Sequence, residues 1–146
     1  MFTVRFTVWP GQGEDSGFDM GDMAVTGDFG TADSAGQVPH QGMMIYLSVI
    51  QLLDGLGDFL RGNARVLNFT GFDTRFGFLV RRTKDGLSVA GKDGVVVART
   101  TAPELISAVL RAAEDLGRAL PPEDTVTSDW QATLAAFRPL VPGGTG

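Results

Sequence analysis

RFGFLVRRTKDGLSVAGKDGVVVART, residues 75 to 100, contains three apolar runs separated by two copies of Lys-Asp-Gly. Asp-Gly between short β-branched and aromatic runs is a hairpin signal, because a two-residue type I′ turn needs positive φ at both central residues. Asp85-Gly86 and Asp93-Gly94 therefore predict an antiparallel meander over residues 75 to 99. Successive side chains of a strand point to opposite faces. Phe76, Phe78 and Val80 then share one face with Arg82, and Arg75, Leu79 and Arg81 share the other. RVLNF, residues 65 to 69, adds a fourth strand upstream. Between them, Thr70-Gly71-Phe72-Asp73 reads as a corner, with Asp73 expected to satisfy turn amides as Asx residues do.

Working outward, residues 42 to 61 carry Tyr46, Val49, Ile50, Leu53, Leu56 and Leu60 at three- and four-residue steps, one face of a helix. Met43, Leu47 and Leu52 widen the stripe, so the helix is expected to be buried, with Gly62 and Asn63 as left-handed terminators. At the start of the chain, Phe2, Val4, Phe6 and Val8 alternate with polar residues, a half-buried strand. MAVTG supports a second strand around residues 22 to 28, and DFGTADSAGQVPHQG reads as a long loop. Downstream, TAPE at 101 to 104 is a capping box that starts a second helix at Ala102, and Pro121-Pro122 stops it. SDWQ repeats the logic, with Ser128 capping a short third helix that Pro139 ends. The order ββ-α-ββββ-αα predicts an α+β domain: a single antiparallel sheet of about six strands with helices packed on one face. Residues 1 to 140 form one domain and residues 141 to 146 a flexible tail.

A chain of 146 residues buries roughly 68 to 70% of its unfolded surface, so it needs no disulfide or metal staple. Cysteine is absent, which excludes disulfides and thiolate chemistry. The first residues alternate instead of forming a secretory signal, and MMIYLSVIQLLDGLGDFL is broken by Gln51, Asp54, Gly55, Gly57 and Asp58, too often for a membrane span. A cytoplasmic address is the expectation. The net charge of −5 is unevenly placed. Residues 61 to 99 hold eight Lys or Arg against Asp73, Asp85 and Asp93, whereas residues 1 to 40 hold six acids against Arg5 alone. One basic block sits between acidic flanks.

Candidate chemistry is sparse. His40, the single histidine, could act as a general base only with an orienting carboxylate and a nucleophile, for which Asp33 and Ser34 are the local candidates. Zinc needs three or four protein ligands of types this chain lacks in number. Glu14, Asp15, Asp19, Asp22, Asp28 and Asp33 do not follow the calcium-loop rhythm, and neither GQGEDSG nor GLGDFLRG has the context of a phosphate loop. No catalytic residue, metal site or cofactor is therefore assigned. RFGFLVRR invites a nucleic-acid reading, but parity places its phenylalanines opposite Arg75 and Arg81, whereas an RNA-binding sheet needs aromatics beside its bases. Nucleic acid is not an expected partner.

What remains is recognition of protein. The LLDGL segment at 52 to 56 and the two DG hairpins, in a small acidic α+β chain, resemble uncharacterised actinobacterial-type proteins and the immunity proteins of polymorphic-toxin systems. The resemblance implies tight, non-enzymatic binding to a cognate toxin. Arg75 and Arg81 on an open sheet face, with Asp19, Asp22 and Asp28 in the acidic loops, are the candidate partner-binding residues. The alternatives are a small-molecule site or enzyme with Asp33 and His40 at a pocket rim, and a homodimer joined through an edge strand or the open sheet.

Overall fold

The computed structural model describes residues 1–62 and 64–141. The α+β class holds, but the single sheet of six strands does not. Among the described residues eight strands form two antiparallel sheets of four. In the first, β1 (Thr3–Val8) pairs with β2 (Met20–Gly27), which also pairs with β3 (Gly30–Asp33) and with the two-residue β4 (Met43–Met44). The second is the expected meander of β5 (Val66–Thr70), β6 (Gly77–Arg82), β7 (Leu87–Gly91) and β8 (Val96–Thr100). The division arises because the stretch expected to be loop supplies β3, and the first residues expected to be helix supply β4, which together complete the first sheet locally. A single backbone hydrogen bond joins the sheets among the described residues: Phe29, in the β2–β3 turn, donates to Val97 O at 3.0 Å.

Helix α1 (Ile45–Arg61) lies in the core, with Ile45, Tyr46, Val49, Leu52, Leu53, Leu56 and Phe59 buried. No side chain caps its start; β4 runs straight into it, and Ile45 N–H is taken by Asp19 O at 3.1 Å. At its other end Gly62 is extended, not left-handed, while the proposed terminator Asn63 lies outside the described residues. The last turn is held from a distance. Arg82, on the core face of β6, donates to Phe59 O at 2.6 Å and places its guanidinium 4.6 Å from the Phe59 ring centroid.

Helix α2 (Ala102–Gly117) packs on β1, and α3 (Thr127–Phe137) on α1. Thr101 caps α2 by accepting from Glu104 N–H at 3.3 Å, but the reciprocal half of the box is diverted. The Glu104 carboxylate accepts instead from Thr100 Oγ1 at 2.7 Å and from Phe2 N–H at 3.3 Å, tying the first strand to the second helix. These two donors, the hydroxyl first, hold its carboxyl below the usual range. Ser128 does not cap α3; the helix begins two residues earlier than such a cap would set it, at Thr127 after Val126. Asp124 does the local work, accepting from Val126 N–H at 2.9 Å and Gly17 N–H at 3.0 Å. Phe137 leads into a single 3-10 turn, Arg138–Leu140, and residues 142–146 of the expected tail lie outside the described residues.

The helices close over one face of the second sheet. Phe78, Val80, Leu87, Val89 and Ala98 are buried there, with Phe69 from the edge strand β5. The Asp-Gly hairpins form with different turns from those expected, because Asp85 and Asp93 keep negative φ. β6 and β7 are joined by the four-residue loop 83–86, closed by Thr83 N–H to Gly86 O at 2.8 Å. The β7–β8 connection is a tight turn in which Gly94 N–H bonds Gly91 O at 2.9 Å, followed by Gly94 itself at φ 85°.

Candidate functional site

Among the described residues no helix lies over the opposite face of the second sheet. Cross-strand register aligns Val66, Arg81, Ser88 and Arg99 in one row, and Asn68, Leu79, Ala90 and Val96 in the next. Arg81 and Arg99 are exposed, while Leu79, Ser88 and Ala90 are half-buried. None of the strands β5 to β8 contains a carboxylate. The parity argument for Arg81 therefore holds, and it extends to Arg99, which was missed because register between β6 and β8 is invisible until β7 is counted.

At one margin of this face the two sheets separate and leave a cleft of about 400 Å³. The Phe29–Val97 bond closes one end, and Thr31, Ala32 and Asp33 of β3 and Val97 of β8 line it. Phe76, Gly77, Gly91 and Val97 line it, with Gln37 and Gln41 contributed by the loop before β4. Arg75, Lys92, Asp33 and Asp93 bring its charge. Sequence reasoning found Arg75 and Asp33 but not their convergence, since residues more than forty positions apart in sequence are joined here only by the sheet packing.

The charged groups differ in what holds them. Asp33 Oδ1 accepts from Ala35 N–H at 2.9 Å, and Asp93 Oδ1 from Val95 N–H at 3.0 Å, so each carboxylate is engaged by its own turn. The stem of Lys92 crosses Gly77, where a Cβ would stand 2.5 Å from Lys92 Cε, and its ammonium donates to Asn68 Oδ1 and, at 2.7 Å, to Thr70 Oγ1. Both acceptors are neutral, and partial burial lowers the Lys92 pKa from its ordinary value. Arg75 is exposed and, among the described residues, has neither an ion-pair partner nor a hydrogen-bond acceptor. Among the described residues, the cleft thus presents two cations without a carboxylate on either.

The corner next to it is built by Thr74, not by Asp73 as expected. Thr74 Oγ1 accepts from Phe76 N–H at 3.1 Å and donates to Gln41 O at 2.7 Å, while Asp73 sits at φ 59°. Ser48, fully buried on α1, accepts from Phe72 N–H at 2.8 Å and pins the corner to the helix.

The other proposed residues are placed separately. Asp19 is 9% exposed and accepts from Ser16 N–H at 3.1 Å, a structural position. Asp22 accepts from Trp9 Nε1 and from Ser34 Oγ at 2.7 Å, bracing the first sheet. Asp28 is exposed and accepts from the Met1 amino group at 2.7 Å. His40 is exposed, edge-on to Trp9 at 5.4 Å between ring centroids, and does not line the cleft. Ser34 is fully buried and bonded to Asp22 and to Met23 N–H, so no Asp33–Ser34–His40 constellation assembles. Among the described residues no three His, Asp or Glu side chains are placed to hold a metal ion, and no helix is long and apolar enough to cross a membrane. No family model, curated protein or solved structure matches the chain.

Proposed function

We propose that this is a non-enzymatic, cytoplasmic protein-binding domain, and that its contact surface is the uncovered face of the second sheet. The observation that carries the reading is the sign of that face: Arg81 and Arg99 stand exposed on strands without a carboxylate, in a chain whose net charge is −5. Exposed Val66 and Val96 and half-buried Leu79 lie among them, the mixture of cation and apolar contact that suits a partner with an acidic, partly apolar surface. The immunity-like resemblance fits the same role, with the toxin as partner. Basic residues on an open face steer an acidic partner, so association slows as salt rises. The test is a pull-down from native lysate with the wild-type chain and with Arg81→Glu/Arg99→Glu in parallel. A stoichiometric partner retained by the wild type and lost by the variant is expected. Recovery of nothing stoichiometric, or equal recovery by both chains, would count against the reading.

A further inference from the structure

We infer that the cleft between the sheets takes an extended peptide segment of the partner, which adds as a strand to the outer edge of β3 and sets an acidic side chain against Arg75 and Lys92. The inference rests on the protein-binding reading and specifies how one part of the partner is held.

The β2–β3 hairpin fixes which backbone groups are unpaired. Ser34 N–H bonds Met23 O at 3.0 Å, and the register pairs Ala32 with Val25 and Gly30 with Gly27. Hydrogen-bonded and non-hydrogen-bonded pairs alternate in an antiparallel ladder. Thr31 and Asp33 therefore turn their N–H and C=O groups away from β2, toward the cleft they line. The Asp33 carbonyl accepts from Gln37 Nε2 at 3.2 Å. The remaining groups offer donor and acceptor positions for an incoming strand, the usual basis of strand-addition recognition.

The side chains around that edge specify what the strand carries. Among the described residues Arg75 has no anionic partner and Lys92 has only Asn68 and Thr70, whereas Asp33 and Asp93 are already taken by turn amides. A carboxylate is the group that completes both cations, and a planar guanidinium binds it in two-point fashion. At the closed end, Phe29 is 63% and Val95 60% exposed. They offer apolar contact to the next side chain on the same face of the added strand. The volume of about 400 Å³ lies within the range of built ligand sites.

The experiment titrates the full chain with a library of end-capped five-residue peptides of alternating Val and Thr around a central Glu, followed by backbone-amide NMR. Expected are shifts at Thr31 and Asp33, at least tenfold weaker binding when the central Glu is replaced by Gln or when Arg75→Gln is used, and a similar loss when the peptide amide facing β3 is N-methylated. Equal affinity for the N-methylated peptide overturns strand addition. Equal affinity for glutarate alone assigns the cleft to small acids and overturns the peptide. Shifts confined to Ser88 and Ala90, or no binding at millimolar peptide, overturn the cleft while leaving the open-face reading to the pull-down.

Discussion

Gly27→Ala tests the joint between the sheets. A Cβ at this position would stand 2.2 Å from Ala98 Cβ and 2.7 Å from both Ala98 Cα and Val97 O. Carbon atoms rest at about 3.5 to 4.0 Å, so the β2–β3 hairpin must move from β8 by about 1.5 Å. Such overpacking costs about 1 to 3 kcal/mol. The same movement stretches the 3.0 Å Phe29–Val97 bond past useful length, adding about 1 kcal/mol. Alanine recovers about 0.5 to 1 kcal/mol of chain entropy in a strand, so the net expectation is about 1 to 3 kcal/mol of destabilisation. Urea unfolding followed by tryptophan fluorescence measures it. Ala98→Gly removes the atom at 2.2 Å, so the double variant should lose less than the sum of the two single variants. A cost for Gly27→Ala below about 0.5 kcal/mol, or strict additivity with Ala98→Gly, would refute the reasoning.

Tyr46, the single tyrosine, is fully buried with its hydroxyl donating to Leu116 O at 3.2 Å, and burial first, then the charges of Asp19, Asp15 and Asp124, push its pKa up to about 12. Because the folded value lies above the unfolded one, its contribution is intact below about pH 10 and is lost as pH rises through the folded pKa; phenolate absorbance appearing at the ordinary pH in the folded chain would contradict this. Glu104 and Asp124 have lowered pKa values, set by the Thr100 hydroxyl and by the Gly17 amide respectively, so their contribution is present above about pH 4 and falls as pH drops through the folded values. Glu104→Gln/Asp124→Asn should flatten the acid side of the stability–pH curve, measured by urea midpoints across pH. Ser48→Ala leaves Phe72 N–H without its 2.8 Å acceptor and should cost about 1 to 3 kcal/mol in the same assay.

Much of the fold was legible because most of the elements obey periodic patterning. The β1 and β6 alternation, the α1 stripe and the Asp-Gly pairs each placed an element within a few residues. β3 was not legible, because Gly30–Asp33 is a short edge strand with no residue fully inside and so no apolar alternation to read. Turn types were misread for a related reason: Asp-Gly marks a reversal, but loop length and the neighbouring strand decide whether Asp takes positive φ. The capping errors share one cause. Glu104 and Asp124 satisfy distant amides, at Phe2 and Gly17, and local motifs cannot register a bond across more than a hundred residues. For the site, parity placed Arg81 on the open face but not Arg75, which precedes β6 (Gly77–Arg82), where strand parity does not apply, and which lines the cleft instead; Lys92 and Arg99 needed the register, and His40 was set apart by its contact with Trp9.

The bond from Phe2 to Glu104 also orders events during synthesis. Phe2 and Phe6 are buried in a core that includes Leu105 and Val109 of α2, about a hundred residues later. At about 5 to 20 residues per second, β1 and its phenylalanines wait on the order of 5 to 20 s for the helix that covers them. The meander and α1 have all their own residues by then. The first sheet thus keeps Phe2 and Phe6 uncovered until α2 is made, and α1 waits for Trp130, Leu134 and Phe137 of α3, made later still, so both apolar faces are surfaces that a chaperone, or another nascent copy, can meet during synthesis.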